Sequence, residues 1–342
     1  MSPLMQKRWQ LFRQNTLALW AGYIFIGILI IALLTPLLAN DKPLLVSYKN
    51  NWYMPFLQTE LTDMDFGGNL PTFADYQDTF TQNEIKAHGW MIWAPVPYSY
   101  DTVDYFSVEP FPAAPSARHW LGTDDQGRDL LARLLYGLRL SLAFGILLTL
   151  FSSVMGITVG AIQGYFGGKA DIILGRFLEM WSSLPQLFIL IILASFIKPT
   201  FLSLLIILLL FSWSSLSGVV RAEFLRGRSL DYVRAAKLLG AGHVRIMFHH
   251  ILPNALIATF TYLPFILSGS IVALSALDFL GLGLPNGSPS LGEIIRQGKE
   301  NIFAPWIGIS IFVTLGILLS LLLFIGDGVR AAFDPNTKER QS

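Results

Sequence analysis

Long apolar runs separated by polar segments set the pattern of this sequence. The hydrocarbon core of a bilayer is about 30 Å thick, so a transmembrane helix needs roughly 20 consecutive, mostly apolar residues. Six stretches meet this requirement. We predict transmembrane helices at Leu17–Leu38, Leu140–Ile162, Ile172–Ile197, Phe201–Val220, Ala255–Leu277 and Trp306–Ile325. The pattern therefore predicts an all-α integral membrane protein.

The distribution of Lys and Arg over the tails and short loops predicts the orientation, because these residues are in excess on the cytoplasmic side. One set of segments carries 14 of them: Lys7, Arg8, Arg13, Lys169, Arg176, Arg221, Arg226, Arg228, Arg234, Lys237, Arg245, Arg330, Lys338 and Arg340. The opposite short loops carry 3: Lys198, Arg296 and Lys299. We therefore expect both tails to lie in the cytoplasm.

These two patterns divide the chain into segments. We expect a cytoplasmic tail at 1–16, an anchor helix at 17–38, an external insertion at 39–139, a core of five helices at 140–326 and a cytoplasmic tail at 327–342. The core includes a cytoplasmic loop at 221–252. The first apolar run is longer than the about 7–15 residues of a signal-peptide core. We therefore expect an anchor that is not cleaved.

The predicted external insertion has its own composition. It contains 13 acidic and 7 basic residues, and its aromatic residues include Trp52, Trp90, Trp93 and Trp120. Strand periodicity is weak, and Pro, Gly and Asn recur. We expect a compact, irregular insertion of short strands and turns rather than a disordered linker.

Composition excludes several classes of function. Hydrophobic residues make up 53% of the chain and charged residues 14%, which is too apolar for a soluble domain. The net charge of +1 gives no basic field for nucleic acid. The absence of cysteine excludes disulfides, thiolate metal sites and a cysteine nucleophile.

Motifs for catalysis or cofactor binding do not match. The segment 164–170 has the wrong glycine spacing for a P-loop, so we expect no ATP hydrolysis by this chain. His243, His249 and His250 lack metalloprotease spacing. Asp124–Asp129 lacks the calcium-loop pattern and is better interpreted as a turn that caps the next helix. We predict no catalytic residue, no metal site and no bound cofactor.

Other positions in the predicted helices favour packing and bending. Gly156, Gly160 and Gly164 share one helix face and predict a close helix contact. Pro185 and Pro264 each remove a helical hydrogen bond, which predicts bends. No Asp, Glu, Lys or His lies at the centre of a predicted span, which argues against ion-coupled secondary transport.

The loop 221–252 is the most informative segment. It predicts one short helix, capped by Ser229 or Asp231 and ended by Gly240, and a second over Val244–His250 before Pro253. An amphipathic helix lying on lipid headgroups would explain this pattern too. The spacing Ala235-Ala236, three residues, Gly240, nine residues, His250-Ile251-Leu252-Pro253 nevertheless resembles the EAA loop of ABC-importer permeases. Arg234 stands where the family pattern has Glu, and His250 where it has Ile.

Further motifs extend the resemblance over residues 118 to 336. They are similar to segments of dipeptide and oligopeptide permeases, and they lie at Leu121–Asp129, Leu131–Gly137, Phe279–Pro285, Ser288–Gly292, Gly326–Arg330 and Asp334–Pro335. The resemblance implies a type I ABC importer permease with six transmembrane helices in the bacterial inner membrane.

Strings in the external insertion resemble one subgroup of this family. These are permeases of peptide importers that also admit the peptide–nucleotide antibiotic microcin C, and the strings are Asn40–Leu45, Asp65–Gly68, Ala74–Asp78 and Gly89–Trp90. The implied substrate is an oligopeptide, with microcin C-like compounds as a further candidate. A permease for nickel or antimicrobial peptides would share nearly every motif. A membrane scaffold or sensor outside the family is a more distant alternative.

The resemblance also implies site residues. We expect ATPase coupling by Asp231, Tyr232, Arg234, Ala235, Ala236, Gly240, His250 and Pro253. We expect an outer gate or docking loop with Phe279, Gly281, Gly283, Pro285 and Gly292, although this loop could equally be a re-entrant cap that only seals the helices. The residues that contact substrate are not identified.

The implied partners are a second, homologous permease, two cytosolic ATPase subunits, a periplasmic peptide-binding protein and membrane lipid, without nucleic acid. ATP and magnesium would be bound by the ATPase partners. The acidic insertion would contact the binding protein or the cationic end of a peptide, or would only stabilise the outer surface.

Overall fold

The computed structural model of the chain describes residues 3–58, 60–105, 109–285 and 287–333, with side chains from residue 9 onward except residue 194. The motif Asp334–Pro335, together with Lys338 and Arg340, lies outside the described residues. The helices are α1 (Pro3–Gln14), α2 (Thr16–Leu33), α3 (Thr35–Leu38), α4 (Thr79–His88), α5 (Leu130–Phe166), α6 (Gly168–Ser183), α7 (Gln186–Phe196), α8 (Phe201–Ser212), α9 (Ser214–Gly227), α10 (Asp231–Leu238), α11 (His243–Arg245), α12 (Leu252–Phe279), α13 (Leu291–Glu300) and α14 (Pro305–Phe333). The strands are β1 (Leu45–Tyr48), β2 (Asn51–Tyr53) and β3 (Gly89–Ile92), and a 3₁₀ turn lies at Asp63–Phe66.

The described residues contain four to six candidate membrane spans, and six agree with the prediction when each bent helix pair counts as one span. Four of these are long and apolar enough to cross a membrane by themselves: Thr16–Leu33, Leu130–Phe166, His243–Phe279 and Pro305–Phe333. Two bent helix pairs, α6 with α7 and α8 with α9, pass the same test when each pair is taken together as one span. The bends measure 73° and 41°, respectively.

Two helix ends illustrate where the structure differs from the sequence prediction. The first helix ends at Leu33, and Thr35–Leu38 forms a separate turn because Pro36 cannot continue the hydrogen-bond ladder. Helix α5 begins at Leu130, ten residues before the predicted Leu140. Asp129 caps this earlier start, since its Oδ1 accepts a hydrogen bond from the amide of Ala132 at 2.8 Å. The expected capping turn at Asp124–Asp129 is thereby confirmed.

The two predicted proline bends have different outcomes. At Pro185 the chain breaks between α6 and α7, which agrees with the prediction. At Pro264 helix α12 remains continuous, so the predicted bend produces no break there. A proline within a transmembrane helix is tolerated where neighbouring helices and side chains satisfy the freed backbone groups.

The chain divides into two compact units. The first comprises Met1–Ile26, Ala143–Leu284 and Leu315–Ser342, and the second comprises Gly27–Leu142 and Pro285–Thr314. In the first unit, a Cβ added at Gly160 would lie 2.5 Å from the carbonyl oxygen of Ser217, and one at Gly164 would lie 2.5 Å from that of Arg221. Helices α5 and α9 therefore approach backbone to backbone, and the predicted glycine contact is confirmed.

The second unit contains the insertion, which folds around a small antiparallel sheet in the order β2-β1-β3. Val46 and Tyr48 on its inner face pack with Phe66, Tyr76 and Ile85. On the other side, Ser47 lies opposite both Trp52 and Trp90, whose rings meet edge to face at 5.5 Å. The insertion is compact and contains short strands and turns, as predicted, but it also contains helix α4, which was not predicted.

Candidate coupling site and outer charge cluster

Helix α10 is the centre of the predicted coupling site. It begins after Leu230, whose backbone is extended, and no side chain caps it. The predicted caps, Ser229 and Asp231, are therefore wrong, because the Ser229 hydroxyl donates instead to the carbonyl of Arg226 at 2.8 Å. The predicted end is confirmed, since Gly240 adopts a φ of +81° in the left-handed region.

The end of α10 is fixed by two backbone hydrogen bonds. The amide of Ala241 donates to the carbonyl of Ala236 at 3.0 Å, and that of Gly240 donates to Lys237 at 3.1 Å. These two bonds form a Schellman motif, which satisfies carbonyls at the end of a helix. A side chain at Gly240 would be strained in this conformation, so a glycine suits the position.

One residue anchors α10 to the membrane helices. Val233 is 4% exposed and belongs to an apolar cluster that includes Phe224 of α9 and Ile251 at the entrance to α12. Tyr232 adds a polar link, since its hydroxyl donates to the carbonyl of His250 at 3.1 Å and accepts from the amide nitrogen of Asn254 at 3.2 Å. A displacement of α10 would therefore be transmitted to the start of α12.

The opposite face of α10 is open to solvent. Ala235 is exposed, and Ala236 is half-buried. Leu238 and Leu239 are 89% and 87% exposed, respectively. The EAA-like spacing predicted the two alanines as coupling residues but not the two leucines. Their signal was available, because two adjacent leucines at the end of a short helix cannot both be covered by the element that buries Val233.

The second predicted helix of the loop continues into α12. Residues His243–Arg245 are α-helical, Ile246–Ile251 form a π turn, and α12 follows with Pro253 in its first turn. A π turn is wider than an α turn, and it accommodates a proline that lacks the amide hydrogen for the ladder. His250, one of the predicted coupling residues, contacts α10 through its backbone carbonyl, which accepts the hydrogen bond from the Tyr232 hydroxyl.

The first half of the predicted outer loop is tightly constrained. Gly281 has a φ of +74°, and the Asp278 carboxylate accepts a hydrogen bond from the amide of Leu284 at 2.8 Å. A Cβ at Gly283 would overlap the Asp278 carboxylate, so this position requires glycine. Phe279 is the last residue of α12. Asp278, which the sequence analysis did not single out, therefore organises this turn.

The second half of that loop is partly helical. Pro285 begins a turn in which its carbonyl accepts from the amide of Ser288 at 3.0 Å. Gly292, predicted to lie in the loop, is instead a buried residue in the first turn of α13. The reason is local, because the Ser290 hydroxyl accepts from the amide of Glu293 at 3.3 Å and so caps the helix.

A buried cluster of four charged side chains lies in the second unit, where the sequence analysis expected only a capping turn. Arg128 Nε donates to Asp124 Oδ2 at 2.7 Å, and Arg133 lies 3.2 Å from the same carboxylate and 2.9 Å from Glu293. Arg133 and Asp124 are fully buried. Glu293 is 165 residues from Arg128 in sequence, so no local pattern could have shown the pairing.

A second buried polar group surrounds His119. Its Nδ1 lies 2.8 Å from Asp129 and its Nε2 3.2 Å from Asp104. The ring of Tyr98 stacks on the imidazole at 4.6 Å. Burial lowers the pKa of His119, but the hydrogen bonds to Asp129 and Asp104 and the attraction of both carboxylates outweigh it and raise the pKa. Within the described residues, no group of three or more His, Cys, Asp or Glu side chains could hold a metal ion.

Residues 156–339 match the family model of the binding-protein-dependent transport system inner membrane component. Residues 2–59 match that of the N-terminal TM domain of oligopeptide transport permease C.

Relatives match along much of the chain. The inner membrane ABC transporter permease protein YejE of Escherichia coli is 52% identical over 98% of both chains. The peptidoglycan transport system permease protein YejE of Agrobacterium fabrum is 49% identical over 98% of this chain and 93% of its own. The dipeptide transport system permease protein DppC of Haemophilus influenzae is 35% identical over 64% of this chain and 75% of its own. This chain therefore belongs to the binding-protein-dependent transport system inner membrane components, and it is a multi-pass permease subunit of an ABC transporter in the inner membrane.

Proposed function

We propose that this permease forms part of the path by which peptides are imported across the inner membrane. The observation that carries the proposal is the 52% identity to YejE along 98% of both chains. The names of further relatives, a peptidoglycan and a dipeptide permease, support peptides and peptidoglycan-derived peptides as the substrate class. Microcin C-like peptide–nucleotides are a candidate within this class.

Membership in this family implies that an ATPase and a solute-binding protein are partners of the chain. We propose one particular assembly, namely a heterodimer with a second, homologous permease, two cytosolic ATPases and a periplasmic peptide-binding protein. Large apolar side chains on α6 and α7, including Ile172, Met180 and Phe188, are more than 60% exposed and support a covering by lipid or a second permease. The chain acts as a transport subunit rather than as an enzyme, and ATP with magnesium would be bound by the ATPases.

We propose that α10, together with Gly240, His250 and Pro253, couples the permease to the ATPase. We propose that the exposed face of α10 inserts into a cleft of an ATPase, with the two terminal leucines as its apolar contacts. Closure of two ATPases around ATP would then move α10, and Val233 and Tyr232 would pass this movement to α9 and α12. Asp231, Arg234 and Ala235 are exposed on this helix and available for the same contact.

The segment Phe279–Gly292 is proposed as a gate or as a docking site for the binding protein. The constrained turn around Gly281 and Gly283 supports the view that this loop keeps its conformation before a partner binds. Its test is cross-linking from Leu280, which is 49% exposed, to the binding protein during transport.

The substrate class is tested in the host. The gene for this chain is deleted and then restored, and uptake of labelled oligopeptides and sensitivity to microcin C are measured. We expect both to fall on deletion and to return with the wild-type chain. Unchanged peptide uptake in a host without a redundant system would contradict the peptide assignment, and nickel uptake would then be measured.

The coupling role is tested by Ala236→Glu. We expect loss of ATP-dependent uptake with normal amounts of the protein in the membrane, because a long charged side chain would separate α10 from the ATPase. Ala236→Ser, which keeps the small size, serves as the control and should transport normally. Full transport by Ala236→Glu would contradict the coupling proposal without affecting the substrate assignment.

A further inference from the structure

We propose that a basic cavity beside α10 binds the phosphate headgroup of an anionic phospholipid. The cavity has a volume of about 490 Å³. Its lining includes Tyr165 and Phe166 from the end of α5, Arg228 before α10, Arg234 and Lys237 on α10, and His243. It lies entirely within the first compact unit.

The cavity carries positive charge that the described residues leave largely uncompensated. No acidic side chain is among those that line it. The carboxylate of Asp231 reaches Arg234 only at 3.9 Å and is fully exposed. Asp171, a nearby acid that also attracts Arg228, is already bound by Arg221 through two hydrogen bonds of 2.5 and 2.8 Å. Two cationic side chains of the lining, Arg228 and Lys237, are thus available to one anionic group.

Hydrogen bonds hold some of the polar side chains of the lining in place at the cavity. Arg228 donates through one terminal nitrogen to the carbonyl of Tyr165 at 3.3 Å, which holds its guanidinium at the end of α5. The Tyr165 hydroxyl lies 2.8 Å from His243 Nδ1, so the other ring nitrogen of His243 stays available for a ligand. A guanidinium and an ammonium that line the same cavity suit the oxygens of a phosphodiester.

The surroundings favour a lipid over a free ion. The cavity lies at the ends of membrane-crossing helices on the face that carries most Lys and Arg, where anionic headgroups concentrate. Phe166 in the lining is 53% exposed, and Val244, next to His243 in sequence, is 70% exposed. These apolar surfaces would contact an acyl chain, for which a free phosphate has no counterpart.

A lipid bound here would bridge two elements. Its phosphate would contact α10 through Lys237 and the end of α5 through the position of Arg228, which leaves the exposed Arg234 for the proposed ATPase contact. It would therefore hold the coupling helix in place, and ATPase stimulation by substrate should depend on anionic lipid. This consequence rests on the proposed coupling role of α10, whereas the binding itself does not.

The experiment uses the assembled transporter in nanodiscs of phosphatidylcholine and phosphatidylglycerol. Retained lipid is measured by native mass spectrometry during progressive delipidation. We expect the wild type to retain phosphatidylglycerol selectively, and Arg228→Gln with Lys237→Gln to weaken this retention about tenfold. Arg245→Gln is the matched control, since Arg245 belongs to the same loop but does not line the cavity. It should bind like the wild type.

A charge-preserving variant separates binding from folding. Arg228→Lys with Lys237→Arg should keep most of the retention, because both positive charges remain. Equal retention by the neutral double variant and the wild type would overturn the proposal, as would a wild type without preference for phosphatidylglycerol. Displacement by inorganic phosphate alone would assign the cavity to a free anion. Retention of the lipid only after the ATPases are removed from the assembled transporter would assign the cavity to an ATPase side chain. Either result would overturn the lipid site, whereas a failure of peptide uptake bears only on the proposed function.

Discussion

At the scale of single residues, the position of a glycine decides whether its missing side chain matters. Gly160 faces α9, where the carbonyl oxygen of Ser217 and the Cβ of Val220 would lie 2.5 and 2.8 Å from an added Cβ. Gly218 lies on α9 itself, and an added Cβ there would meet no atom within 4 Å. The two positions therefore separate the effect of packing from that of helix propensity.

Gly160→Ala should lower the free energy of unfolding by about 1–3 kcal/mol, because the methyl group forces two backbones apart. Gly218→Ala should be neutral or slightly stabilising, since alanine favours helix over glycine. The stability of both variants is measured by thermal unfolding of the purified chain in detergent. Equal unfolding temperatures for the two variants would show that α5 and α9 do not approach as closely as described.

His119 is the residue for which pH should matter most. Its raised pKa means that the folded protein binds the proton more tightly than the unfolded chain. The resulting stabilisation is fully present below the ordinary pKa of 6.5 and is lost as the pH rises through the raised value. The charged groups around it are Asp129, Asp104 and, 3.5 Å from Asp104, Arg118.

We therefore expect the free energy of unfolding to fall as the pH rises above the ordinary pKa of 6.5 and through the raised pKa of His119, and His119→Gln to flatten this dependence. His88→Gln is the control, because His88 is 47% exposed on α4 and pairs only with Glu84 among the described carboxylates within salt-bridge distance. A pH dependence that survives in His119→Gln would assign the titration to another group.

At the scale of elements, the buried charge cluster attaches α13 to the start of α5. Arg133 contacts both Asp124 and Glu293, and it also donates to the carbonyl of Ser288 at 3.5 Å. Removing one partner of a buried ion pair leaves an uncompensated charge, which costs far more than removing an exposed pair. Helix α13 contains both a buried ion pair and an exposed ion pair within a few residues.

Glu293→Gln should destabilise the chain by about 3–5 kcal/mol, since Arg133 would lose a buried carboxylate. Arg296→Gln breaks the pair with Glu300, whose side chains are 37% and 52% exposed, and should cost about 0–1 kcal/mol. Chemical unfolding in detergent measures both. A similar cost for the two would mean that the cluster is hydrated and does not attach α13.

At the scale of the whole molecule, the spans could be predicted because apolar length alone fixes them. The end of α10 could also be predicted, because Gly240 provides a local signal. The pairing of Arg133 with Glu293 could not be predicted, because it joins segments that are distant in sequence. The residues between the two segments carry no signal that the segments lie close together in space. The start of α5 was missed for the same reason, because a charge such as Arg133 ends a predicted span unless its buried partners are known.

The break at Pro185 has a consequence for which side of the molecule touches lipid. Where α6 turns into α7 at 73°, the peptide groups at the turn leave the regular helical ladder. Hydrocarbon offers neither donors nor acceptors, so a helix broken at membrane depth is tolerated only beside protein or water. The side that carries Ser182 to Gln186 is therefore directed away from the acyl chains, towards another protein surface or an aqueous interior.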